Sequence, residues 1–395
     1  MATKNKLHPN IIWLGLASMF NDMSGEIVAR ALPLFLKGTL GVSTAIVGLI
    51  EGIADTTASF GQIFSGWYSD KINSRKAPTV IGYLITAIAR PLLLIKSLWI
   101  FPLISRFLDR AGKGVRTSPR DALIADSIKP EDRGRGFSLQ RALDTGGAVI
   151  GALIAAFAAK EFGGATAHLI SEDTFKILIY LAIVPSFISV IIIAVMVKNV
   201  QHKKYASKAV LKLGSEVNPV FGRYLMIVAI FTLGVSSDAF LLLRSSEIGL
   251  EPYEIFLLVA AFNLVGALSA YPAGKLADKI GKKTVIIMSW TYYGIIYACF
   301  AFVESAAMIA IIYIAYGLYY GMSEGVQKAF VADMVPTENR GTSYGYFNAV
   351  IGLAALPASL GFGVLYQQFG AAVAFGSGAI LALVASIWLF FGIKK

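Results

Sequence analysis

The sequence predicts an all-α membrane protein of twelve transmembrane helices arranged as two six-helix bundles. Three observations carry that prediction. Of 395 residues, 56% are hydrophobic and only 15% charged, with a mean hydropathy of +0.67. The apolar residues come in runs of about 20, the length that crosses a bilayer as a helix. The chain also repeats itself. Gly66 to Ile72, with Asp70 and Lys71, matches Gly274 to Ile280, with Asp278 and Lys279. Ala125-Asp126 followed by Glu131 and Arg133 matches Ala332-Asp333 followed by Glu338 and Arg340, at nearly the same offset.

In chain order the spans fall at 11–36, 44–67, 78–96, 99–125, 137–159 and 176–197, then 221–243, 254–274, 284–303, 306–332, 342–366 and 371–393. An N-terminal bundle (1–198), a basic polar linker (199–220) and a C-terminal bundle (221–395) follow from this division. An even number of spans puts both termini on one side. Loops on that side carry Lys71, Arg75, Lys76, Lys129, Arg133, Arg135, Lys203, Lys204, Lys208, Lys212, Lys275, Lys279, Lys282, Lys283, Arg340, Lys394 and Lys395. The opposite loops hold Lys37, Lys96 and Lys160 against Glu161, Glu172, Asp173, Glu247, Glu251 and Glu304. The positive-inside rule then makes both termini cytoplasmic and the protein a multi-pass component of the inner membrane. The same distribution explains the net charge of +11 without any nucleic-acid partner. The N-terminus leads directly into a long span, so no cleavable signal peptide is expected. The single cysteine, Cys299, and the loop positions of His8, His168 and His202 argue against a disulfide, a metal site or a histidine proton relay.

The fourth span breaks the apolar pattern. Within Ser105 to Asp126 it carries Arg106, Asp109, Arg110, Lys113, Arg116, Arg120 and Asp121. At about 100° per residue these fall within an arc of roughly 140°. Seven charges facing lipid would cost on the order of 20 kcal/mol, less what snorkelling recovers at the ends. The stripe therefore lines water, a substrate or compensating carboxylates.

The loop after the second span, Gly66-Trp-Tyr-Ser-Asp70-Lys71-Ile-Asn73-Ser-Arg75-Lys76, and its repeat, Gly274-Lys-Leu-Ala-Asp278-Lys279-Ile-Gly281-Lys282-Lys283, resemble the G-x-x-x-D-[RK]-x-G-[RK]-[RK] signature of the major facilitator superfamily. Asn73 stands where glycine is usual; the second copy matches fully. The resemblance extends over the whole chain and implies two parallel six-helix repeats that rock about a midplane site. It also assigns an inner-gate role to Asp70, Lys71, Arg75, Asp278 and Lys279. The family's R-x-x-Q-G-x-G-A pattern in the fourth helix is met only by Arg106 and Gly112. The antiporter signature G-x-x-x-G-P-x-x-G-G is met by Gly147 and Gly151 but has Ala152 in place of proline, so drug–proton antiport has no motif support.

Other polar residues lie inside spans. Asp22, Glu26 and Arg30 recur every fourth residue in the first span with Asn21 and Ser24 beside them, and Glu51 and Asp55 stack in the second. Arg90, in the outer part of the third span, is expected to pair with Asp55 or Glu51. Asp144 and Asp238 are isolated acids that either pair with the fourth span or carry a proton. At the offset of 207, Arg106, Asp109 and Lys113 correspond to Tyr313, Tyr316 and Tyr320. With Glu324 and Gln327 these form a phenolic face on the tenth span, extended by Asn263, Tyr344 and Asn348.

The reading that follows is a secondary transporter moving a small anionic solute, with carboxylate or phosphate groups, by proton-coupled alternating access. Arg106, Arg110, Lys113, Asn21, Tyr313, Tyr316, Tyr320 and Asn348 are the expected substrate contacts. Asp22, Glu26, Asp109, Asp144, Asp238 and Glu324 form the charge and proton network, and Arg116, Arg120 and Asp121 join the gate. Two alternatives stay open. One is a drug–proton antiporter for neutral or cationic compounds, with the charges of the fourth span acting only as a gate. The other is a polytopic sensor without transport. No nucleophile with a base, cofactor motif or nucleotide loop is present, so neither an enzyme nor an ATP-driven pump is indicated. The expected partners are the substrate, the bilayer and protons, with the protein a monomer.

Overall fold

The computed structural model describes residues 8–72, 74–95, 98–128, 133–163, 170–200, 219–335 and 340–393, with the side chains at 63, 66, 67, 70, 133–135 and 340–342 left aside. Among these residues there are twelve α-helices and no strand. They are α1 (Pro9–Leu34), α2 (Thr44–Lys71), α3 (Lys76–Ala89), α4 (Ile100–Asp126), α5 (Arg133–Phe162), α6 (Glu172–Met196), α7 (Pro219–Leu233), α8 (Ala239–Glu247), α9 (Pro252–Ile280), α10 (Lys282–Phe302), α11 (Ala306–Met334) and α12 (Arg340–Gly392). A helix is the form in which a segment without water satisfies its own backbone groups.

Two details reconcile these helices with twelve spans. The seventh span is broken: α7 and α8 are separated by the residues from Gly234 to Asp238. Two spans share α12, divided at Gly370, whose φ of 81° and ψ of 178° interrupt the helix. Among the described residues, seven stretches are long and apolar enough to cross a membrane, including those at 172–196, 282–302 and 306–334. Neither α1, α2 nor α4 is among them, yet these three carry most of the Asp, Glu, Lys and Arg residues found in the helices of the first half.

Glycine brings α4 close to its neighbours despite its charge. A Cβ at Gly114 would sit 2.8 Å from the Cα of Gly61 on α2, and one at Gly112 would sit 2.5 Å from the Gly82 oxygen on α3. In the same way Gly147 and Gly151 of α5 lie against the backbone of Met19 and Met23 on α1. Small residues of this kind let membrane helices approach to backbone contact. The two halves meet along α2 and α12. Thr44 and Thr56 donate to the carbonyls of Gly363 and Gly352 at 3.0 and 2.7 Å, and Gly48 faces the Ser359 carbonyl. The end of the molecule where α2 begins is thus closely packed.

The repeat is visible in fastenings at the opposite end. Arg75 pairs with Asp126 at 3.6 Å, and Lys282 with Asp333 at 2.6 Å, both offset by the same 207 residues. Lys76 donates to Ala194 O at the end of α6. Its counterpart Lys283 donates to Phe390 O and Ile393 O around the end of α12. Each lysine meets the carbonyl end of a helix, where a cation is favoured. In the second copy Gly281, with φ of 93°, makes the turn between α9 and α10, a conformation that only glycine adopts freely.

Candidate functional site

Six of the seven charges on α4 are held inside the first half. Arg106, 3% exposed, makes a two-pronged pair with Glu51 of α2, its Nε donating at 3.0 Å and its second nitrogen to the other carboxylate oxygen. One turn on, Arg110 reaches Asp55 at 3.4 Å, so two rungs at the same spacing tie α4 to α2. Asp109 accepts from Arg90 at 3.0 Å and lies 3.6 Å from Arg106. Arg116 donates to Thr86 at 2.8 Å and stacks over the Tyr83 ring at 4.7 Å. Arg120 pairs with Asp121 at 2.9 Å and donates to Ser18 of α1.

The expected partner of Arg90 is therefore corrected. Glu51 and Asp55 are taken by the two arginines of α4, and Arg90, 1% exposed, turns instead to Asp109 and donates to Ser24 of α1 at 3.2 Å. The reason is register: residues four apart on α2 meet residues four apart on α4, which leaves Arg90, just past the end of α3, facing Asp109.

Lys113 stands apart. It lies at the centre of the charged arc, opposite Ile104 and Phe107, which are exposed toward lipid. Its side chain is exposed, and no carboxylate among the described residues lies within ion-pair distance. Arg110 adds a buried Nε without a hydrogen-bond partner. Facing this pair are Asp22 and Asp144. Asn21 donates to Asp22 at 3.3 Å and Gln140 to Asp144 at 2.8 Å. Neither acid has a cation at ion-pair distance among the described residues, although Asp22 is within electrostatic reach of Asp144, Lys113, Arg116 and Arg120.

Two polar bridges cross between the halves. Toward the packed end, Arg30 of α1 holds Glu26 at 3.0 Å and Asp238, beside the break in the seventh span, at 3.2 Å. Asn263 of α9 donates to Glu26 at 2.8 Å, and Tyr320 of α11 donates to Asp238 at 3.2 Å. Toward the other end, Arg141 of α5 meets Glu324 at 3.0 Å, with side chains 69% and 47% exposed; Lys328 holds the same acid at 2.8 Å. Tyr320 and Glu324 are one turn apart on α11, so the face between the bridges is turned toward the first half.

The phenolic face divides. Tyr313 and Tyr316 are 1% exposed inside a cluster with Phe262, Tyr293, Tyr297 and Phe300, whereas Tyr320 is 40% exposed with its ring edge to face against Phe262 at 5.1 Å. Asn21 is buried, Asn348 half-buried, and Tyr344 donates to Lys328 O at 3.1 Å. Gln327 bonds Ser323 within its own helix. Among the gate residues, Asp278 and Lys279 are exposed at the end of α9, Asp121 is partly exposed, and the Asp70 side chain lies outside what the structure describes. Lys71 is exposed at the end of α2. Sequence reasoning missed Arg141 because it lies in a polar stretch near the start of its span. It also missed Asn10, which is buried and ties α1 to Ser127 and to the backbone of Lys198.

Two repeated bundles of apolar helices, meeting around an ion-paired interior crossed by a few polar bridges, define a membrane carrier. The chain belongs to the Major Facilitator Superfamily, whose model matches residues 14–245 and 224–395. It is 32% identical over 393 residues to an uncharacterised MFS-type transporter of Methanocaldococcus jannaschii, covering 98% of this chain and 95% of that one. It is 23% identical over 344 residues to the cis,cis-muconate transport protein of Acinetobacter baylyi, covering 83% and 80%. A mutant of the nucleoside transporter NupG has the same fold, with a TM-score of 0.82 at 13% identity over 97% of this chain and 100% of that one.

Proposed function

We propose that this protein carries small organic anions across the cytoplasmic membrane by alternating access, coupled to protons. The observation that carries the reading is Lys113: among the described cations of α4 it alone is both exposed and without a carboxylate at ion-pair distance. With Arg110 at 20% exposure beside it, the interior offers an anion one free ammonium and part of a guanidinium. The relative named for muconate transport is consistent with this choice. Arg106 acts through position: its pair with Glu51 holds α4 in the register that aims Lys113 inward.

Coupling follows from the same inventory. Glu26, Asp109, Asp238 and Glu324 each hold an arginine, which leaves Asp22 and Asp144 to exchange a proton. While both are ionised they offset Lys113; a proton taken up by the pair leaves its ammonium uncompensated. Anion and proton then promote each other's binding, reciprocally. The basic loops support cytoplasmic termini, with the packed end, where α2 begins, on the outside.

The test is binding to purified protein by thermal shift, with matched panels of organic anions, cations and neutral compounds. Stabilisation by anions that is lost in Lys113→Gln is expected. Stabilisation by cations alone, or unchanged anion affinity in Lys113→Gln and Arg110→Gln, overturns the reading.

A further inference from the structure

Lys113 and Tyr320 are the residues that the internal repeat equates, and both are exposed at the middle of their helices. Their surroundings differ in kind. Around Lys113 the groups are charged. Around Tyr320 the polar groups are already engaged with one another. Its own hydroxyl donates to Asp238, Asn263 donates to Glu26, Gln327 to Ser323, and Glu324 is shared by Arg141 and Lys328. What Tyr320 presents between the two bridges is therefore ring surface rather than a hydrogen-bonding group. The ring is held from behind: Phe262 meets it edge to face, Tyr316 is perpendicular to it at 5.6 Å, and Tyr319 at 5.5 Å.

Resting on the anion reading above, we propose that the transported solute is a carboxylate with a planar, unsaturated body. Its carboxylate is received by Lys113 and Arg110, and its ring or conjugated chain lies on the exposed face of Tyr320. A polyhydroxylated acid of equal charge is a poor fit. Its hydroxyl groups leave water and meet, on the second half's wall, groups already bonded to one another within the protein, so the desolvation is only partly repaid. A planar π-system gains the stacking that an aromatic wall offers beyond area alone. A protonated amine of the same shape meets Lys113 and is repelled.

The experiment is equilibrium binding to the purified full chain with four probes: benzoate, cyclohexanecarboxylate, gluconate and benzylamine. Benzoate is expected to bind about three- to tenfold more tightly than cyclohexanecarboxylate, and gluconate more weakly than either. In Tyr320→Phe, which keeps the ring, the preference persists; in Tyr320→Leu it disappears while carboxylate binding remains. Equal affinity for the three carboxylates overturns this inference and leaves the anion reading standing. Binding of benzylamine without benzoate overturns both. The ligand series on the unaltered protein decides the matter even where Tyr320→Leu does not fold.

Discussion

Arg30 on α1 and Asp238 at the broken seventh span meet at 3.2 Å across the boundary between the two halves. The pair fastens the packed end, and Tyr320 ties the same acid to α11. Asp238→Asn keeps the tyrosine contact but removes the charge that holds Arg30. The packed end is then expected to part more often. Spin labels at positions 37 and 304, both at that end, should report a longer mean distance in Asp238→Asn than in the parent. An unchanged distribution would mean that the α2–α12 contact alone holds the end shut.

The Arg106–Glu51 pair is buried on both sides. Removing one partner strands a charge, at a cost of about 3–5 kcal/mol, whereas replacing both with apolar residues is close to neutral. Glu51→Gln should therefore lower thermal stability more than Glu51→Leu combined with Arg106→Met. If the double variant is as unstable as the single one, the pair is needed for register as well as for charge balance.

Gly114 and Gly61 bring α4 and α2 into backbone contact. Gly114→Val forces the helices apart and disturbs both rungs above it, costing about 1–3 kcal/mol. The expected result is a lower melting temperature and weaker anion binding together. Gly146→Ala, where a Cβ meets nothing within 4 Å, serves as the control and should change neither.

Protonation of Asp22 and Asp144 should tighten anion binding, so affinity is expected to rise as pH falls. The direction follows from charge: each carboxylate neutralised near Lys113 removes a competitor for its ammonium. Asp22→Asn should flatten that dependence and hold affinity near its low-pH level. A steep dependence retained in Asp22→Asn and Asp144→Asn alike would move the coupling site elsewhere.

Much of the fold is written in the sequence because the bilayer admits few solutions. Apolar runs had to be helices, and the helical breaks observed at Gly234 to Asp238 and at Gly370 fall between or within segments that composition had already marked as spans. Pairings were harder to read. That Arg90 meets Asp109 rather than Glu51 depends on the register of three helices, which no linear spacing encodes. The exposure of Tyr320 against the burial of Tyr313 and Tyr316 is likewise a matter of how Phe262 fills the space between α9 and α11. Arg141 sits in a polar stretch near the start of its span, and its acid lies 183 residues away.

The fastenings at Arg75–Asp126 and Lys282–Asp333 each close a half upon itself, as do the α4 rungs to α2. Of the ion pairs described, those of Arg30 with Asp238 and Arg141 with Glu324 alone span the seam. Each half can therefore tilt as a stiff body with its internal charges undisturbed. On the alternating-access reading proposed above, changing which side is open requires exchanging few strong contacts, and the charge that makes α4 look costly in a membrane is what keeps each half rigid.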